Sequence, residues 1–241
     1  MQTDNRTSRM SLEGVLSAIA QLPEEWQLAG SVSMPVLRAI VRHVGRDPVR
    51  HSMETGSGKT TLLFSQLSES HKVFEVDNRS ITVVRESRLL RPETVEFIDG
   101  PTQVTLPRYR FQNELQVALI DGPHGYPFPD LEYYYVYPWL GADALLIVDD
   151  IHIPTIRHLF DFLSEDQMFR LVEVVDTTAF FRRTTAPLFE PLGDGWWLQA
   201  YNTNRYPVDP VSGMTMKTKR GWKRWVPAPV KKMAKRILGR R

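Results

Sequence analysis

Three apolar runs in this 241-residue chain end in aspartate. Val73-Phe74-Glu75-Val76 leads to Asp77, and Leu115-Gln116-Val117-Ala118-Leu119-Ile120 leads to Asp121. Ala144-Leu145-Leu146-Ile147-Val148 leads to the pair Asp149-Asp150. Such runs read as strands, the last two as strands buried on both faces of a parallel sheet. In an open α/β sheet the C-terminal strand edges border the crevice where ligands bind. Random placement would scatter these carboxylates, whereas here they gather on one edge.

The first of them closes a larger unit. Arg50 to Asp77 reads as a strand ending at Met53-Glu54, a turn through Gly56-Ser57-Gly58, a helix carrying Leu62, Leu63, Phe64 and Leu67, and a second strand. Glycines at such a turn let the backbone come close to a ligand. An acidic side chain about 20 residues further on is placed to accept hydrogen bonds from a ribose diol. The letters GSGKTT also suggest a phosphate-binding P-loop. That motif needs a glycine five positions before the Gly-Lys pair, and Met53 stands there. A P-loop-type nucleotide-binding protein therefore stays only as an alternative.

The elements that must hold these residues read as follows. Ser11 is a candidate N-cap for a helix through Leu22, with Val15, Ile19 and Leu22 on one face, and a second helix covers Pro35 to Val44. Residues 1–10 are polar and aperiodic, which reads as disorder. Ile81 to Val84 falls in a helix and Val95 to Ile98 in a third strand. A helix with Leu131, Tyr134, Tyr135 and Trp139 breaks at Pro138, and Ile151 to Leu163 continues as loop and helix. Phe169–Asp176 and Trp196–Tyr201 read as two last strands, paired antiparallel at one edge. The expected fold is α/β, a doubly wound, mostly parallel seven-stranded sheet with an antiparallel edge strand. The expected division is a helical decoration over 1–45, a ligand-binding domain over 46–208 and a basic extension over 209–241.

Composition narrows the function classes. An apolar fraction of 42% and a charged fraction of 24% are ordinary for a globular protein. The absence of cysteine excludes disulfides, zinc–thiolate sites and thiol nucleophiles. No run is apolar and long enough to span a bilayer, and the polar start MQTDNRTSR does not read as a signal peptide, so a cytoplasmic location is expected. Of the 30 basic residues, eleven fall between Val211 and Arg241, where there is no acid. The rest of the chain is thus acidic, which argues against nucleic acid as a partner. In the tail, basic residues interleave with Trp222, Trp225 and apolar positions. That suits a peripheral contact with anionic lipid at the inner face of the membrane, and equally a solvated basic tail.

Glu54-Thr55-Gly56-Ser57-Gly58-Lys59-Thr60 resembles the first motif, E/D-x-G-x-G, of the class I S-adenosylmethionine-dependent methyltransferases. The stretch DGPHGYPFPDLEYYYVYPWLGADALLIVDDIHIP is similar to a group within them, of the methyltransferase domain 24 type, that carries D-G-x-H-x-Y followed by an acidic pair. That group is related to metal-dependent sugar O-methyltransferases. The similarity spans roughly Val44 to Leu163, with its motifs in the expected order.

The resemblance implies a Rossmann-like methyltransferase fold binding S-adenosylmethionine. Glu54, Gly56, Gly58 and Thr60 would shape the methionine pocket, Asp77 would hold the ribose, and Asp121 would also border the cofactor. The adenine contact falls near the tip of the third strand. There Pro101 stands where an aspartate is expected and Asp99 comes two positions early, so no residue is singled out for the adenine; Thr102 is a further cofactor-binding candidate. The metal-dependent subgroup implies Mg²⁺ on Asp121, Asp149 and Asp150, with His124 as general base toward a small-molecule or glycan hydroxyl. Oxygen ligands suit that ion, metal coordination lowers a hydroxyl pKa, and a near-neutral imidazole suits proton abstraction. Duller roles stand beside these. Asp121 and Asp149 are also suited to cap helices or bind loop amides, His124 to pack under Tyr126, and His152 to lie on the surface. Tyr133, Tyr134, Tyr135, Tyr137 and Trp139 fit either an acceptor pocket or core. A non-catalytic module bound to a membrane surface is the remaining alternative.

Overall fold

The computed structural model describes residues 11–23, 26, 31–45, 49–190 and 195–205. Residues up to Pro191 form one compact unit, and Leu192 onward belongs to a second. The disordered start and the basic extension expected at the two ends lie outside the described residues. Among the described residues no helix is long and apolar enough to cross a membrane.

Helices α1 (Leu12–Ala20) and α2 (Met34–Val44) open the first unit. Each starts where a serine hydroxyl accepts a backbone N–H, Ser11 from Gly14 at 3.1 Å and Ser33 from Val36 at 3.4 Å. The chain then alternates strand and helix: β1 (Val49–Thr55), α3 (Lys59–Leu67), β2 (Ser68–Glu75), α4 (Asn78–Glu86), β3 (Val95–Asp99) and α5 (Thr102–Thr105). It continues with β4 (Leu115–Ile120), α6 (Phe128–Val136), β5 (Leu140–Val148), α7 (Pro154–Glu165), β6 (Phe169–Val175) and β7 (Thr178–Arg183).

The seven strands lie in the order β3-β2-β1-β4-β5-β7-β6. The first five run parallel, and β7 runs antiparallel to both β5 and β6. The order turns back between β1 and β4, so the loops after those strands diverge and leave a crevice at their C-terminal ends.

Strand alternation sends successive side chains to opposite faces. Leu146 and Val148 of β5 join Met53, Phe74, Ile120 and Phe181 on the face covered by α6 and α7. Leu145 and Ile147 join Leu62, Leu63, Phe64 and Phe180 on the face covered by α1, α2 and α3. Each fully buried Leu or Phe contributes about 1.5–3 kcal/mol. Together they fix the sheet whose edge carries the site.

Two expectations are corrected. The antiparallel edge is a β6–β7 hairpin, turning at Asp176, which takes a positive φ of 51°. Trp196–Tyr201 is not a strand. Trp196–Leu198 is a short 3₁₀ turn, followed by α8 (Ala200–Arg205), both in the second unit. On α6 the inward positions are Glu132, Tyr133 and Val136, while Tyr134 is exposed.

Candidate active site

The glycine turn is locked from below. Gly56 has φ +82°, and a β-carbon there would lie 2.8 Å from the carbonyl oxygen of Asp121, so only glycine lets the turn rest on the end of β4. The Gly58 N–H donates to the Thr61 hydroxyl at 3.0 Å, which donates to Glu54 at 2.5 Å. Glu54 also meets His71 Nε2 at 3.0 Å, and His71 Nδ1 meets the Ser52 hydroxyl at 2.7 Å. Glu54 and His71 are fully buried. Glu54 thus supports the turn from beneath and does not line the hollow above it.

That hollow has a volume of about 380 Å³ and is lined by Ser57, Gly58, Lys59, Thr60, Asp77 and Asp121, with Trp26 and Val32 at one side. Asp77 caps α4, accepting from the Arg79 and Ser80 N–H groups at 3.1 and 3.3 Å and from the Ser80 hydroxyl at 2.8 Å. The Ser80 hydroxyl, ahead of the Arg79 N–H, holds its carboxyl below the usual range. One acid escaped the sequence reading. Glu75 accepts the Ser57 hydroxyl at 2.8 Å and the backbone N–H groups of Val76 and Asp77, tying the tip of β2 to the glycine turn. Its signal was the spacing Glu75-Val76-Asp77, which puts both acids on one side of a strand end.

A second missed acid stands behind β4. Glu132 of α6 is fully buried and accepts the Thr55 hydroxyl at 2.9 Å, and the same Thr55 oxygen accepts the Asp121 N–H at 3.0 Å. Burial pushes the Glu132 carboxyl up to about 8. Thr102 is buried beside it and does not line the hollow.

At the rim of the crevice three side chains converge. His124 Nε2 lies 3.2 Å from Asp150 Oδ2 and 3.9 Å from Asp121 Oδ1, and ligand atoms of Asp121, His124 and Asp150 all fall within 4.8 Å of one another. Asp150 reaches inward through a positive φ of 55°, which aspartate tolerates better than most residues. Asp149 is not one of the three. It is buried and accepts the Thr178 hydroxyl. Burial pushes Asp121 up to about 8, and the contact with Asp121 raises His124. His152 is an exposed neighbour, its Nδ1 3.6 Å from Asp150. Two carboxylates and an imidazole form a donor set that suits a divalent ion.

Residues 53–151 match a family model described as a methyltransferase domain. Over that stretch, from β1 to the loop after β5, the chain is similar to a methyltransferase domain. Its sheet belongs to the fold of the S-adenosylmethionine-dependent enzymes, with the single antiparallel β7 inserted between β5 and β6. Among solved structures, the chain is similar to the O-methyltransferase TomG from Streptomyces achromogenes, involved in tomaymycin synthesis and determined with S-adenosylmethionine. That match has 17% identity and a TM-score of 0.55, covering 70% of this chain and 89% of that one. It is also similar to an O-methyltransferase from Bacillus cereus in complex with S-adenosylhomocysteine, at 16% identity and a TM-score of 0.54, covering 72% and 90%. A methyltransferase from Geobacter sulfurreducens matches at 16% identity and a TM-score of 0.53, covering 71% and 89%. No curated protein matches the chain.

Proposed function

We propose that this methyltransferase moves the methyl group of S-adenosylmethionine to a hydroxyl oxygen of a sugar or glycan, with Mg²⁺ assisting and His124 as base. One observation carries the reading. Asp121 belongs both to the hollow over the glycine turn and to the cluster with His124 and Asp150, so a donor and an acceptor bound there would meet at one carboxylate.

The residues fit the donor by their chemistry. The backbone at Gly56 and Gly58 and the side chain of Thr60 border its methionine part, and Asp77 offers exposed carboxylate oxygens to the ribose. Glu54 acts through the turn that it supports. When bound, the donor supplies an electrophilic methyl on a sulfonium, which needs alignment more than activation.

Asp121 and Asp150 would hold the ion, with Asp149 fastened behind them by Thr178. The chemistry that Mg²⁺ would supply is a lowered hydroxyl pKa. His124 takes the hydroxyl proton at Nε2, the ring nitrogen that faces Asp121 and Asp150, and their charge stabilises the imidazolium. Such a base contributes roughly 10²–10⁴-fold.

Calorimetric titration with S-adenosylhomocysteine and with ATP, each with and without Mg²⁺, tests the donor. Binding of the first and not the second is expected, and the reverse would restore the P-loop reading. Transfer of labelled methyl to free sugars and glycans, set against simple phenols, tests the acceptor. Label on phenols alone would sink the sugar assignment.

A further inference from the structure

A second cavity, of about 470 Å³, lies away from the hollow over the glycine turn. His51, Ser70, Glu96 and Leu115, near the starts of β1, β2, β3 and β4, line it together with Tyr109 to Asn113 of the loop before β4. These strands run parallel, so their starts lie at the other end of the sheet from the tips that carry Asp77 and Asp121. The two cavities share no lining residue.

One ion pair in this second cavity is complete: Lys72 Nζ meets Glu96 Oε2 at 2.6 Å, and the Tyr109 hydroxyl stands by the same ammonium. Arg110 has no such partner. Its Nη1 donates to the backbone carbonyls of Pro107 and Tyr109 at 3.1 and 3.2 Å, while Nε and Nη2 donate to nothing among the described residues. One nitrogen thus pins the guanidinium and leaves open the Nε–Nη2 edge, which can grip an oxyanion by two parallel bonds. The side chains of His51, Ser70, Gln112 and Asn113 also have no hydrogen-bond partner among the described residues. Phe111 is buried beside them, its ring centroid 4.9 Å from that of Tyr109, and supplies an apolar wall. The lining is therefore rich in unengaged donors around one uncompensated cation, in a space of small-molecule size. A carboxylate would satisfy the arginine fork alone, whereas a phosphate brings a third terminal oxygen for the imidazole. We propose that this cavity binds a sugar phosphate, with Arg110 on the phosphate and Ser70, Gln112 and Asn113 on the hydroxyls. The site is independent of the donor hollow, and both can be filled at once.

Calorimetry on the full chain compares glucose 6-phosphate, glucuronate, inorganic phosphate and glucose. The first should bind saturably and most tightly, equally well with and without S-adenosylhomocysteine. Arg110→Gln should weaken it by about 10- to 100-fold, the scale of a charge-assisted pair. Arg110→Lys keeps the charge but not the fork and should fall in between. Asn113→Leu, a change at an exposed loop position, should weaken glucose 6-phosphate and leave inorganic phosphate unchanged, a readout that stands even if Arg110→Gln fails to fold. No saturable binding of glucose 6-phosphate overturns the site, as does an Arg110→Gln protein of wild-type Tm that binds it like wild type. Competition by S-adenosylhomocysteine would place the ligand in the other cavity. Glucuronate or inorganic phosphate binding as tightly as glucose 6-phosphate would overturn the choice of a sugar phosphate.

Discussion

The carbonyl oxygen of Asp121 occupies the space where a side chain on Gly56 would begin, 2.8 Å from an ideal β-carbon. The turn proposed to receive the donor is thus seated on the strand end that carries Asp121 of the rim cluster. Gly56→Ala has to move one against the other, and it adds the strain of an L side chain at φ +82°. The variant should lose about 1–3 kcal/mol of stability. It should also lose most of its affinity for S-adenosylhomocysteine at temperatures where it remains folded. Denaturant unfolding with parallel calorimetry checks both, and unchanged ligand binding would show that the two parts are not coupled.

Glu132 predicts a pH dependence of a definite sign. Its carboxyl is raised by burial from the ordinary 4.5 to about 8, so the native state binds a proton that the unfolded state has released. Stability is then fully present below about pH 4.5 and is lost as pH rises through about 8. Glu132→Gln keeps an acceptor for the Thr55 hydroxyl and cannot ionise. Between about pH 5 and about pH 9 the wild-type Tm should fall and that of the variant should change much less, with the variant the more stable at the alkaline end. Parallel melting curves for the two proteins would rule out a neutral Glu132.

Strand-end aspartates were legible because a local pattern, an apolar run closed by an acid, places them. Glu132 was not, because its partner Thr55 is 77 residues away and only the tertiary fold brings α6 behind β1. The helix face also differs from its pattern: Leu131, Tyr134, Tyr135 and Trp139 suggest an apolar stripe out of phase with the buried Glu132, Tyr133 and Val136. Adjacency could not say which member of Asp149-Asp150 joins His124. Neighbours at a strand end point to opposite sides, so Thr178 takes one and the cluster the other. Strand β7 escaped notice because Arg182 and Arg183 follow Phe180-Phe181 at once. Their guanidinium groups reach backbone carbonyls, of His43 and Asp143 from Arg182 and of Met168, Thr184 and Ala186 from Arg183.

Asp77 caps α4 and is proposed to hold the ribose as well, and substitutions separate the two tasks. Its oxygens cap α4, and they are exposed toward the hollow where a ribose would lie. Asp77→Ser retains a capping oxygen but removes the carboxylate, whereas Asp77→Ala removes both. Asp77→Ser should keep a Tm close to wild type and bind S-adenosylhomocysteine at least about 10-fold more weakly, the scale of charge-assisted hydrogen bonds. Asp77→Ala should lose affinity and Tm together. If the serine variant binds like wild type, the carboxylate serves the helix alone.

The cluster at the rim predicts that metal and base can be told apart. Asp121 and Asp150 converge on His124, yet their tasks differ: the carboxylates would hold the ion and the imidazole would take the proton. Chelation should therefore lower kcat, and added Mg²⁺ should restore it. Asp150→Asn removes one anionic ligand while keeping an oxygen, so it should raise the Mg²⁺ concentration needed for half-maximal rate without changing affinity for S-adenosylhomocysteine. His124→Gln should leave both the Mg²⁺ requirement and that affinity near wild type and lower kcat by roughly 10²–10⁴-fold. Rates measured across a Mg²⁺ series for the three proteins decide the matter. A wild-type rate indifferent to chelator would remove the ion from the reaction, and a His124→Gln enzyme that instead needs much more Mg²⁺ would make His124 a ligand.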